Sequence, residues 1–379
     1  MQICVDALAV TNLSGRRVLL GHLAELIAAH HEQHRFVVLH HWGNRDLIRD
    51  LGAPVRWLQC PGLTRHWTGR LLWQHTLLPL LLRRHHIDAV LSPTGGLTPA
   101  TALPQIVLAQ NPWCLVASLH RGPAARLKAA LQRHAYRRAQ RRARLLFCNS
   151  AFLVRLYARN AGTPPRPEPI LANGIDEAIF LAAQPIARFD ARLLEVLTVS
   201  VMAPHKAIEL VVEAIALLRG RGVAVRLRLV GPWADASYRR RIERQIAALG
   251  LADAVLIQGR VSEVELHGFF RRARVFVLLS RCESFGLPAV EAQAFGTPSV
   301  VADLGAPPEI AGPGGLVVPP EDPAAAAAAL QSLLCDANAW AQASASAVAN
   351  AERFRWSTVS RPLVHCLEQW NQSGSVDPG

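Results

Sequence analysis

Short runs of β-branched and aliphatic residues alternate with helix-length amphipathic segments along almost the whole chain, and few folds accommodate that alternation. Strands are expected at Ile3–Leu8, Phe36–His40, Val55–Leu58, Ala89–Leu91, Ile106–Ala109 and Leu145–Cys148, with helical patterns such as Arg17–Ala29, Leu71–Arg84 and Ala124–Arg142 between them. This is the βαβα rhythm of a parallel sheet covered on both faces. The stretch from Thr163 to Pro169 holds four prolines in seven residues, which neither a helix nor a central strand tolerates, so it reads as a connector. The rhythm then resumes with strands at Val196–Val201, Arg226–Val230, Val255–Gln258, Val275–Leu279 and Ser299–Ala302. Helices are expected at Ile208–Arg219, Ser237–Leu249, Glu263–Ala273 and Leu287–Phe295. At 379 residues the chain accommodates two doubly wound α/β domains, expected at 1–182 and 183–356. A last helix, about 357–370, is expected to pack back on the first domain. In such sheets the ligand sits outside the carboxyl ends of the strands.

Hydrophobic residues make up 51% of the chain and charged residues 18%, which fits large cores and excludes a disordered chain. The longest apolar stretch, Leu71 to Leu82, is broken by Gln74, His75 and Pro79, so no membrane span is expected. The opening MQICVDALAV lacks a basic segment before its apolar run and contains Asp6, so it reads as a first strand rather than a signal peptide. Seven scattered cysteines without a CxxC pair argue for a reducing compartment, the cytoplasm, and against a zinc site. The histidine doublets His30-His31, His40-His41 and His85-His86 read as solvated helix ends.

The run from Ser280 to Ser299 carries the most chemistry. A buried strand, VFVLLS, ends at Ser280; a tight loop closes at Gly286; a helix then begins with Pro288 near its first position, where a missing N–H costs nothing. The N–H groups of Phe285, Gly286 and Leu287 are left for an anion such as a diphosphate. Glu283 lies just ahead of that helix start and Glu291 one turn inside it. Such a pair of carboxylates can accept hydrogen bonds from the vicinal hydroxyls of a hexose on one side and a ribose on the other.

With these features the chain resembles the retaining GT-B glycosyltransferases of family 4, whose signature is a glutamate, seven residues and a second glutamate. Glu283 and Glu291 stand at that spacing within ESFGLPAVEAQAFGTPSVV. The stretch Thr198–Lys206 with the helix IELVVEAIALL resembles the family's first C-domain strand and phosphate-binding lysine. Leu229-Val-Gly231, Gln258-Gly-Arg-Val261, Pro308-Glu-Ile310 and Gly314–Pro319 look like further family elements, and Asn173-Gly-Ile-Asp176 resembles its hinge. The resemblance implies a GT-B fold, two Rossmann-like doubly wound domains facing a central crevice. It implies Lys206 and Glu283 as catalytic residues, with Ser284, Phe285, Gly286, Leu287, Glu291, Arg260, Gly15 and Asn111 around the donor. It further implies transfer of a hexose from a nucleotide sugar to a glycan or lipid-linked acceptor, in cell-surface polysaccharide synthesis. Two departures stand out: Val201 occupies a position where the family often has arginine, and Gln110-Asn111 stands where many members carry His-Asp. No DxD occurs in the chain, so neither a metal nor another cofactor is expected on the diphosphate.

The formal charge of +13 calls for an acidic partner. Arg126, Lys128, Arg133, Arg137, Arg138, Arg141 and Arg142 lie between Arg121 and Arg144, and Arg65, Trp67, Arg70, Trp73, Arg83 and Arg84 mix tryptophan with cations. Such faces suit an anionic membrane, giving a protein peripheral on its inner side; an arginine-rich solvated helix is the competing explanation. Nucleic acid is not expected, because no recognition motif accompanies the charge. Two other functions share the fold: a nucleotide-sugar epimerase and a non-catalytic transferase partner.

Overall fold

The computed structural model describes residues 1–49, 51, 55–120 and 122–372. It divides into two compact units, Met1–Gly174 together with the chain from Trp356 on, and Ile175–Arg355. The division falls within Asn173–Asp176, the segment that resembles a hinge, rather than at residues 182–183. Ile175 pairs with Arg355 and donates its N–H to the Phe354 carbonyl (2.8 Å), and Arg355 forms an ion pair with Glu177. The helix Glu177–Ala183 is thereby counted with the second unit.

The first unit holds β1 (Gln2–Asp6), β2 (Arg35–His40), β3 (Val55–Gln59), β4 (Ala89–Ser92), β5 (Gln105–Ala109) and β6 (Leu145–Cys148) in one parallel sheet of order β3-β2-β1-β4-β5-β6. The second holds β7 (Leu193–Val199), β8 (Arg226–Val230), β9 (Val255–Gly259), β10 (Ala273–Leu278), β11 (Ser299–Ala302) and β12 (Gly315–Val318), ordered β12-β11-β10-β7-β8-β9. Strands covered by helices on both faces are largely apolar, and β5 and β11 are buried at every residue, with their one polar residue each, Gln105 and Ser299, hydrogen-bonded to Thr98 and Gln293. Each sheet is the doubly wound arrangement expected from the alternating pattern.

Local chemistry sets the helix ends. Asn12 accepts from the Gly15 N–H (2.6 Å) at the start of Leu13–His30, and Ser262 with Glu265 forms a capping box at the start of Glu263–Arg272. The pattern Leu71–Arg84 is two helices, Trp67–Thr76 and Leu78–Arg84, because Pro79 lacks the N–H that a continuous helix would direct to His75. Pro362 likewise separates Trp356–Val359 from Arg361–Gln372. The latter helix buries Leu363 and Leu367 against Leu19, Leu23 and Ile27 of the first unit.

The histidine expectation fails in part. His30, His40 and His41 are buried, not solvated. His41 accepts from the Gly43 N–H through Nδ1 (3.0 Å), and burial holds its pKa below the usual value. Five of the cysteines, Cys4, Cys60, Cys114, Cys148 and Cys282, are buried free thiols. Among the described residues no helix is long and apolar enough to cross a membrane.

Candidate functional site

In the second sheet the strand order reverses between β7 and β10, which are hydrogen-bonded neighbours. A ligand of a doubly wound sheet binds outside the carboxyl ends at such a switch point. The segments leaving β7 and β10 are the ones that carry Lys206 and Glu283.

After β7 the chain passes Val201, which is 53% exposed, and turns through the 3-10 helix Pro204–Lys206. Ala207 follows in the left-handed region, φ 52° and ψ 45°, fully buried, and leads directly into Ile208–Gly220. The Lys206 ammonium forms an ion pair with the Glu283 carboxylate, and their side chains are 14% and 18% exposed. Partial exposure leaves both groups accessible to a ligand while the surrounding protein strengthens their fields. Burial, then the neighbouring Lys206 charge, pushes the His205 pKa below its ordinary value, so the imidazole is neutral at pH 7.

After β10 come buried Ser280, Arg281, and Cys282, whose thiol burial pushes up to about 11. The Glu283 backbone is fixed by its carbonyl, which accepts from the Ala306 N–H (3.2 Å), and by Gly305, where a Cβ would lie 2.7 Å from that carbonyl oxygen. Phe285 turns its ring inward, edge-on to Phe354 at 5.7 Å, so only its backbone faces a ligand. Gly286 adopts φ 99° and starts the helix Leu287–Ala294, with Pro288 in its first turn. Among the described residues the N–H groups of Phe285, Gly286 and Leu287 have no acceptor, as expected for an anion-binding helix start. Glu291 is 6% exposed inside this helix, which sets aside a solvated surface position for it.

Lys206, Glu283, Ser284, Phe285, Gly286 and Leu287 therefore share the β7/β10 switch point, with Glu291 on the attached helix. Arg260 follows the end of β9 and is exposed. Gly15 and Asn111 belong to the first unit. The Gly15 N–H is already engaged by Asn12, and the Asn111 side-chain oxygen accepts from the Trp113 N–H (2.9 Å). Arg16, next to Gly15 in the first turn of Leu13–His30, is paired with Asp46. Sequence reasoning missed Arg281 and Gly305. Arg281 bonds Glu209 and Glu321, 72 and 40 residues away, and no local pattern announces such partners.

The basic surfaces lie on the first unit. Arg126, Lys128, Arg137, Arg138, Arg141, Arg142 and Arg144 are exposed, with Leu127 (64%) and Leu131 (56%) among them; Arg121 lies outside the described residues. Trp67 is 60% exposed, but Trp73 is a core residue and the partly buried Arg70 turns toward the Leu8 and Thr64 carbonyls, so neither belongs to a surface patch.

Residues 184–352 match the family described as glycosyl transferases group 1. A D-inositol 3-phosphate glycosyltransferase of Thermobispora bispora is 34% identical over 227 residues, covering 56% of this chain and 52% of the relative. The chain thus spans about half the length of the curated relatives it matches. Two solved structures share its fold. Sucrose-phosphate synthase from Thermosynechococcus elongatus has TM-score 0.74 and 19% identity, with 99% of this chain and 100% of that one covered. Anabaena HepE in complex with UDP and glucose has TM-score 0.71 and 19% identity, with 97% and 100% covered. The chain has a GT-B fold, and its residues 184–352, which hold both Lys206 and Glu283, are the part that is similar to the glycosyl transferases group 1 family.

Proposed function

We propose that the protein is a retaining, metal-independent glycosyltransferase that moves a hexose from a nucleoside-diphosphate sugar to a glycan or lipid-linked acceptor. The observation that carries this is the juxtaposition of the Lys206–Glu283 pair with the free N–H groups of Phe285, Gly286 and Leu287 at the strand-order reversal. A departing diphosphate develops negative charge, and fixed cations and N–H dipoles act most where that charge appears. Lys206 and the helix start supply both. Glu283 accepts hydrogen bonds from sugar hydroxyls and Glu291 from the ribose. When attack and departure share one face, the leaving phosphate takes the acceptor proton and no protein base is needed. The neutral His205 is then free of proton transfer. HepE, a fold neighbour, binds UDP-glucose, which makes UDP-sugars the first donors to try.

The test is thermal stabilisation by a panel of UDP-, GDP-, ADP- and CMP-sugars, since a ligand that binds only the folded state raises stability with log concentration. One class should shift the melting temperature, and Glu291→Ala should weaken that shift while circular dichroism stays unchanged. No shift with any donor, or full donor affinity in Glu291→Ala, overturns the respective assignment. Metal independence rests on the missing DxD and on Lys206 at the diphosphate: turnover should survive EDTA with little loss. Inactivation reversed by Mg²⁺ or Mn²⁺ would count against it.

We also propose peripheral attachment to the inner face of an anionic membrane, supported by the exposed cations around Leu127 and Leu131 on Pro123–Arg142. Each cation near such a surface contributes about 1 kcal/mol. Binding to anionic vesicles should be measurable at low salt and weaken as ionic strength rises, because exposed charges are screened beyond about 10 Å at 0.1 M. Equal partition onto neutral and anionic vesicles would reduce the patch to a solvated face.

A further inference from the structure

We infer that Arg281 is the positioning residue of this site, holding the Lys206 turn against the loop that carries Glu283; the inference rests on the reading of Lys206 as the diphosphate's cation. The turn is not self-supporting. Its own backbone provides Lys206 N–H to Ala203 O (2.8 Å) and Ala207 N–H to Pro204 O (3.3 Å). Against these stands Ala207 at φ 52°, a conformation that a residue with a Cβ keeps only where its surroundings enforce it.

Arg281 supplies the enforcement from the neighbouring loop. Its backbone N–H donates to the His205 carbonyl (2.8 Å), and Nη1 donates to the Pro204 carbonyl (3.0 Å) and to Glu209 Oε1 (2.7 Å). Nε and Nη2 grip both oxygens of Glu321 at 2.7 Å. Glu209 also accepts from the Tyr238 hydroxyl (2.6 Å), which in turn accepts from the Ile208 N–H (2.9 Å) at the start of the following helix. One guanidinium thus ties the backbone before Lys206 and the helix after it to a residue two positions from Glu283. A lysine could not replace this fork, because one ammonium cannot meet two carboxylates and a carbonyl in fixed geometry.

The same contacts keep Arg281 out of the chemistry. Four of the five guanidinium N–H bonds are engaged. Hydrogen bonding to Glu321, then to Glu209, holds its pKa above the ordinary arginine value, so it remains a cation with two carboxylates of its own. Burial alone would raise the pKa of Glu209, but hydrogen bonds from Tyr238 and Arg281 prevail and lower it. The diphosphate therefore meets Lys206, and Arg281 acts through it.

The experiment is a double-mutant cycle on the full chain, with turnover of the nucleotide sugar that stabilises the protein in the panel above. Arg281→Ala should lower kcat about tenfold, with KM changed by less than about threefold, and Arg281→Lys should recover little. In a Lys206→Ala background Arg281→Ala should cost no more than about twofold, because groups acting as a unit are not additive. Equal losses in both backgrounds overturn the inference while leaving the reading of Lys206 intact. If no donor stabilises the wild type, that underlying reading fails, and this one with it. Should Arg281→Ala not fold, Glu321→Gln runs the same cycle from a side chain that is 52% exposed. It should lose about threefold in the wild type and nothing further without Lys206, and an equal loss in both overturns the inference.

Discussion

Replacing Lys206 by alanine is expected to lower turnover of the cognate nucleotide sugar by roughly 10²–10³, the usual cost of losing one group that stabilises developing charge. Few other cations at this end of the second sheet can share the task. Val201 is apolar, Arg281 is held by Glu209 and Glu321, His205 is neutral, and Arg260 is exposed beyond β9. The ion pair with Glu283 adds a second penalty. Without Lys206 a carboxylate that is 18% exposed stands uncompensated beside the path of an incoming diphosphate, so the loss should fall at the upper end of the range. Lys206→Arg should rescue only in part, since the guanidinium is planar and bulkier. Glu283→Gln in the alanine background should restore some nucleotide affinity. Steady-state turnover and calorimetry, with circular dichroism as the folding control, decide this. If Lys206→Ala keeps most of its activity, the lysine is not the phosphate ligand, and Arg260 is examined next.

The largest loss of stability is expected from Gly231→Ala. Gly231 follows β8 at φ 132°, a Cβ there would lie 1.9 Å from the Ser200 carbonyl oxygen, and its N–H donates to the Gly259 carbonyl (2.7 Å). Ser200 in turn donates to Val230 (3.0 Å). The clash meets backbone, so the ends of β7 and β8 must separate, at a cost of about 3 kcal/mol. For a unit of this size each kcal/mol lowers the melting temperature by about 2–4 °C, so a fall of about 10 °C is expected. Gly222→Ala is the control: it also has positive φ, 84°, but nothing lies within 4 Å of the added Cβ. Equal shifts in the two variants would show that conformation alone, not the close approach to Ser200, matters at Gly231.

The strands were legible because burial on both faces writes a continuous apolar run, as in VFVL and SVVA. β12 was not read as a strand: it is four residues long, follows glycines, and lies at the sheet edge with Leu316 and Val317 exposed. The helix Ala337–Glu352 was invisible for another reason. Its buried face is Trp340, Ser344, Ala347, Asn350 and Ala351, and alanine and serine give little contrast between faces. At the site, Lys206, Glu283 and Gly286 could be named because turn, cap and helix start are local in the chain. Arg281 could not, because its meaning lies in Glu209 and Glu321. The histidines misled through the opposite error: polarity suggested solvent, whereas His41 is buried, accepts through Nδ1 from the Gly43 N–H of its own turn, and has its pKa lowered by burial.

Trp356 packs so closely on Gly21 and Gly174 that a Cβ on either glycine would lie within 2.4 Å of its ring. The second unit is therefore an insertion between residues that are neighbours in the first. On the ribosome this sets an order of events. Residues 175–355 emerge as a complete folding unit, while the first unit still lacks the helix that brings Leu363 and Leu367 to its core. The N-terminal half, made first, is thus the last to be finished, and until then the faces of Leu19, Leu23 and Ile27 await their cover. A chain released short of residue 361 carries a whole second unit and an unfinished first one, which chaperones and proteases recognise by its exposed apolar surface.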